Sequence, residues 1–243
     1  MSFNTDFSPQ RLSTSTLNWW EMAGVDLAYD DEPTNWLSPP PAKQTQKTVA
    51  SPQQTEVATP LSLPNSHDEF LTWLAQSETA PGAQWGQKRI SPRGPLKPAL
   101  MVISAVPEPS DIDSGTLFSG AVGELLEKMM RAVGSAIDHC YLASLSTTRA
   151  PTGQIDAASM QHCKEIMLHH IDLVSPKKII LLGDNASQTL LGTNLISSRQ
   201  SKPFVNHNVS KTEAIATFHP RILLERPQLK REAWKDLQSL LED

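Results

Sequence analysis

The sequence predicts an α/β domain, a three-layer α/β/α sandwich with a central parallel sheet. Two observations carry that prediction. Apolar runs at residues 100–103, 139–145, 177–182 and 213–218 have the length of strands, and the third (Lys-Lys-Ile-Ile-Leu-Leu) is continuous enough to be buried on both faces. Between them lie longer stretches with apolar residues on one side of a helix. Strand and helix therefore alternate, the pattern of a parallel sheet covered on both sides.

Residues 12–24 form a predicted amphipathic helix with Leu17, Trp20 and Met22 on its sticky face, Trp19 adding area and Gly24 as a stop. This helix belongs to an N-terminal arm, residues 1–37. The arm either packs back on the domain or is a docking peptide for a protein partner, with Trp19, Trp20 and Trp36 as anchors. Residues 38–65 are a linker rich in Pro, Gln, Thr and Ser with little to bury, predicted to be extended and disordered.

The α/β domain is predicted over residues 66–243. It opens with a helix over 67–76, with Ser66 as N-cap, Asp68 and Glu69 at the positive end of the helix dipole, and Phe70, Leu71, Trp73 and Leu74 on its buried side. After the first strand comes a Pro-containing polar loop, then a helix over 120–133 with a stripe of Val122, Leu125, Leu126, Met129, Met130 and Val133; the two methionines are read as core. The second strand leads through a loop to a helix over about 156–174, ended by Ser175-Pro176. The third strand turns at Gly183-Asp184-Asn185 into a helix near 186–191, followed by a segment without clear periodicity. The last strand ends at His219-Pro220, and Pro227 sits in the first turn of a closing helix with Leu229, Ala233, Leu237 and Leu240 on one face.

Composition narrows the function classes. No apolar run approaches the ~20 residues of a membrane span, and the N-terminus lacks the basic start and apolar core of a signal peptide. A cytoplasmic protein is expected. The net charge of −5 is uneven: residues 86–243 carry 18 Lys+Arg against 16 Asp+Glu, and the first 85 residues carry 3 against 10. The domain is thus close to neutral, and any DNA binding is expected to be weak, since phosphate contacts dominate non-specific affinity. Two cysteines, Cys140 and Cys163, make neither a disulfide framework nor a zinc pattern. His162, His169 and His170 share one helix without the i, i+4 spacing of a metal pair.

In a parallel sheet the loops after the strands gather on one edge, where ligands bind. The candidates there are Pro107, Asp111, Asp113 and Phe118 after the first strand, Ser144 and Arg149 after the second, and His219 and Pro220 after the last.

Three motifs carry a resemblance. The first strand runs into Ser104-Ala105-Val106-Pro107-Glu108, and Gly115, Phe118, Gly120 and Gly123 then open a helix. The segment at 174–192 reads Val-x-Pro-x-x-Ile-x-x-Leu-Gly-x-x-Ala, and the chain ends in Thr-x-His219-Pro220 followed by Leu224, Pro227, Lys230, Arg231 and Trp234. This set, spanning about 145 residues, is similar to the family 4 uracil-DNA glycosylases. The resemblance implies their fold and the hydrolysis of an N-glycosidic bond in DNA. It implies Phe118 as the ring that stacks the extruded base and His219 as the donor that stabilises the departing base. Two expected residues are replaced: the motif Glu that positions water is Ala105, and the motif Asn that reads the base edge is Ser144, whose single hydroxyl cannot reproduce a carboxamide. Glu108 stands where the motif has a glycine. Asp111 or Asp113 is the candidate substitute carboxylate. Pro107 joins Phe118 and Ser144 as base-binding, and Arg149 and Pro220 are candidate DNA contacts, single-stranded DNA included.

Family 4 members hold an iron–sulfur cluster on four cysteines. Cys163 falls at one of those positions, Thr148 at another, and no cysteine precedes Cys140, so no cofactor is expected. The resemblance leaves two readings open: a glycosylase for uracil or another damaged base, and a catalytically silent relative that binds or scaffolds in DNA repair or replication.

Overall fold

The computed structural model describes residues 63–241 except 87, 154, 200, 202 and 209. The predicted helix over 12–24, its arm and the linker up to residue 62 lie outside the described residues.

The sheet has five strands: β1 (Leu100–Ser104), β2 (Cys140–Ser144), β3 (Lys178–Leu182), β4 (Phe204–Asn206) and β5 (Lys211–Thr217), in the order β2-β1-β3-β5-β4. The first four neighbours in that order run parallel; β4 is antiparallel to β5. The chain passes from β1 to β2 on one side and to β3 on the other, so the strand order reverses beside β1. Ligands bind outside the carboxyl ends of strands at such a switch point.

The helices are α1 (His67–Gln76), α2 (Pro109–Ser114), α3 (Gly120–Ala132), α4 (Ala157–Val174), α5 (Asp184–Leu191), α6 (Leu195–Arg199), α7 (Pro220–Glu225) and α8 (Lys230–Gln238). Alternate residues of each strand sort them into two layers. Met101, Ile103, Tyr141, Ala143, Ile179 and Leu181 meet Met167 and Ile171 of α4 and Ala186 and Leu190 of α5. Val102, Leu142, Ile180 and Ile215 meet Leu126 and Met130 of α3 and Ala233 and Leu237 of α8. The three layers predicted from the alternating pattern are therefore present, and Met129 and Met130 are core. Burying one such aliphatic side chain contributes about 1.5–3 kcal/mol.

Three short elements depart from the sequence-based expectation. The polar loop after β1 contains α2, whose single apolar residue is Ile112. The segment after α5 contains α6 and β4, and of the three residues of β4 only Val205 is buried. Each is too short to show a period.

The three helical histidines of α4 are structural. His162 and His169 meet the carbonyls of Thr79 and Pro64. His170 is fully buried, with its Nε2 2.9 Å from the Tyr141 hydroxyl, which also lies 2.8 Å from Nε2 of His67 on α1. The hydroxyl donates to one ring and accepts from the other, tying α1 and α4 to β2. Burial, and behind it the nearby His67 and His169, pulls the His170 pKa down to about 3. The folded chain therefore resists a proton that the unfolded chain accepts near pH 6.5. Stability attributable to His170 is fully present above that pH and is lost as pH falls toward 3, with a slope of about 1.4 kcal/mol per pH unit. His170→Leu is expected to flatten melting temperature against pH between 6.5 and 4.5. Parallel curves for wild type and variant would contradict this.

Candidate active site

The C-terminal ends of β1, β2, β3 and β5 share one sheet edge. In the β1 loop, Phe118 is buried with a left-handed φ of 55°, a conformation costing a bulky side chain about 1–2 kcal/mol. Asp111 holds the loop in that shape. Its carboxylate accepts from the Ser119 N–H at 2.7 Å, the Ser119 hydroxyl at 2.9 Å and the Glu108 N–H at 2.9 Å. These bonds join the two ends of the 108–119 loop. Asp113 is exposed on α2.

The carboxylate beside His219 is that of Glu108, which in the sequence is conspicuous only as the replacement of a motif glycine. It is buried and draws three groups from two other strand-end loops. Arg149, after β2, lies 3.6 Å from Oε2, and Arg221 and His219, after β5, lie 3.3 and 3.7 Å from Oε1. Burial pushes the Glu108 carboxyl above its usual range, with Arg221 and Arg149 opposing the rise.

His219 caps α7. Its Nδ1 accepts from the Arg221 backbone N–H at 3.3 Å. Burial, reinforced by the charges of Arg221 and Arg149, lowers its pKa to about 4. The ring is therefore neutral at pH 7, with its proton on Nε2. The Phe118 and His219 rings stand with centroids 6.4 Å apart and planes inclined by 27°.

Pro107 is buried, and its carbonyl accepts from Arg149 Nη1 at 2.9 Å. Pro220 is buried at the first position of α7. Ser144 is buried at the end of β2 and donates its hydroxyl proton to the Ser146 carbonyl at 2.7 Å. Pro107, Glu108, Arg149 and His219 are thus joined in one constellation, with Phe118 on its wall. Behind it, Asp236 of α8 accepts from Thr217 at 2.8 Å and from Arg199 Nε at 2.7 Å, and Arg199 lies over the Phe218 ring at 4.4 Å. This network, which sequence reasoning missed, fixes the strand end that carries His219.

The residues present do not fit an iron–sulfur cluster. The whole chain has two cysteines, and Cys163 is buried on α4 with its thiol pushed up to about 12 by burial, whereas the metal ligand is a thiolate. At the position of a second expected ligand, Thr148 donates to the Gly82 carbonyl at 2.7 Å; beside it Ser146 and Thr147 donate to that of Pro81 at 3.2 and 3.0 Å. Hydroxyl-to-carbonyl bonds fasten the 80–82 segment there.

A five-stranded α/β sheet with flanking helices thus carries, among the described residues, a strand-end site of ring, imidazole and carboxylate. The chain belongs to the Uracil DNA glycosylase superfamily, whose profile matches residues 91–238. It is similar to the Type-4 uracil-DNA glycosylase of Archaeoglobus fulgidus, with 26% identity over 154 residues, 60% of this chain and 77% of that protein. The Type-4 uracil-DNA glycosylase of Pyrobaculum aerophilum is 23% identical over 171 residues, 68% of this chain and 87% of that protein. That of Thermotoga maritima is 23% identical over 148 residues, 60% and 77% of the two chains. Among the described residues no helix is long and apolar enough to cross a membrane.

Proposed function

We propose that this protein excises uracil from DNA by hydrolysing the N-glycosidic bond. The observation that carries the reading is a buried imidazole whose Nδ1 accepts from the Arg221 N–H, which assigns the proton of the neutral ring to Nε2, beside the near-parallel Phe118 ring. Such a group can donate a hydrogen bond to a base that leaves with the bonding electron pair, and stabilisation of developing charge is the largest single contribution in many such sites. Phe118 offers the stacking face that an extruded base needs. Arg149 and Arg221 supply positive charge for the DNA backbone. The family and its relatives, all named uracil-DNA glycosylases, support the same reading.

Ser144 gives the base pocket a different edge. Its proton is spent on Ser146, so it is left as an acceptor. It suits a ring N–H, which uracil carries at N3 and hypoxanthine at N1, and it does not select the O4 of uracil by donating to it. The test is a set of end-labelled single-stranded oligonucleotides, each with one uracil or one hypoxanthine, incubated with the full chain and treated with alkali. Scission at uracil is the expected result. Intact strands from folded protein would overturn the reading.

A further inference from the structure

We infer that Glu108 is the carboxylate that holds and deprotonates the attacking water. The assignment rests on the base-excision reading above. The family places its water-positioning Glu at the position of Ala105, which has no polar atom. Neither acid suggested by the sequence can take its place. Asp111 is bonded to both ends of its own loop, and Asp113 is out in solvent.

Glu108 lies three residues beyond Ala105 on the same loop and is buried beside His219, Arg149 and Arg221. It is 5% exposed, and a carboxylate that deep at a ligand-binding sheet edge is costly unless its charge is used or paired. Its neighbours at 3.3–3.7 Å are Arg221, Arg149 and the imidazole of His219. Its negative charge complements the C1′ that becomes cationic as the bond to the base breaks. In the step, the C1′–N bond breaks and its electron pair leaves with the base, which His219 Nε2–H hydrogen-bonds. The oxygen of water bonds to C1′, and its proton passes to Glu108 and on to solvent. The departed base takes a proton from solvent, so the sum is addition of one water across the glycosidic bond.

The charged and titratable groups facing Glu108 are Arg221, Arg149, Asp111, Glu225 and His219. The arginines keep the carboxylate paired; burial raises its titration. The rate should therefore fall as pH drops through the Glu108 carboxyl's titration, above the usual Glu range.

The test is single-turnover uracil release by wild type, Glu108→Gln and His219→Ala, with affinity for the uracil oligonucleotide measured in parallel. Glu108→Gln keeps the shape and removes the base, at the cost of turning one acceptor oxygen, which faces a guanidinium, into an NH2 donor. The expected result is a rate at least 100-fold lower, affinity within threefold of wild type, and loss of the acid limb of the pH–rate profile. A wild-type rate for Glu108→Gln alongside a failed His219→Ala would overturn the assignment and leave the glycosylase reading standing. No release by wild type would overturn both. Should Glu108→Gln not fold, Glu108→Asp carries the test, since it keeps the charge between the guanidiniums and withdraws the oxygens by one methylene. A tenfold or greater fall at unchanged affinity supports the assignment, and a wild-type rate overturns it.

Discussion

His219→Ala is expected to slow base release by about 10²- to 10³-fold, the usual effect of removing one preorganised donor to developing charge. The position of the ring proton is the reason. Nδ1 of His219 accepts from the Arg221 N–H and so carries none itself. The pKa near 4, set first by burial and then by Arg221 and Arg149, keeps the ring neutral at pH 7. The one proton is then on Nε2, the nitrogen free to face a ligand. The buried ring is already largely desolvated, so as a neutral donor it can pair with the leaving anion at little further cost. Alanine removes the donor and little else of the fold: α7 gives up a single 3.3 Å hydrogen bond at its cap. His219→Gln, which keeps an N–H donor of similar reach, should recover part of the rate. Single-turnover release with melting curves for all three proteins measures this, and a fully active His219→Ala protein would refute the role.

Gly123→Ala is expected to be the most damaging change outside the constellation. Gly123 lies in the first turn of α3, and a Cβ there would overlap the Phe118 carbonyl oxygen and stand 2.6 Å from its carbon. Both atoms are backbone, so no rotamer relieves the clash. The loop must lift, and it carries Phe118 in a left-handed conformation that Asp111 holds in place through Ser119. Overpacking of this kind costs about 1–3 kcal/mol, or roughly 3–10 °C in a domain this size. The loss of base release should exceed what the fraction unfolded explains, because the stacking ring moves with its backbone. Melting curves and release rates on the same preparation check it. An unchanged melting temperature would mean that α3 and the loop separate at no cost.

The parts of the fold legible in the sequence are those with a period. β1, β2, β3 and β5 are runs of apolar residues, and α3 and α4 are long enough for a stripe to show. α2, α6 and β4 have three to six residues each and no stripe. The signal that could have found α2 is local chemistry: Pro109 at its first position and Asp111 reaching back to the Glu108 N–H. The same bond explains why Asp111 resembles a site acid in the sequence. A loop acid that organises backbone and a loop acid that faces a ligand look alike there; they differ only in where the hydrogen-bond donors are. His219 and Phe118 are legible because they sit inside spaced motifs. Glu108 is not, because its significance comes from Arg149, His219 and Arg221, which lie 41 to 113 positions away along the chain and meet it only once the parallel strands bring their ends together.

The most direct test of the account is detection of free base. Wild type and His219→Ala, each shown to be folded, are mixed in excess with an oligonucleotide containing one uracil, and the small-molecule fraction is examined for uracil by mass spectrometry before any alkali is added. The expected result is one uracil released per strand with wild type, an intact phosphodiester chain, and release slowed at least about 100-fold in the variant. Uracil retained on the strand with wild type, or released equally by both proteins, would contradict it.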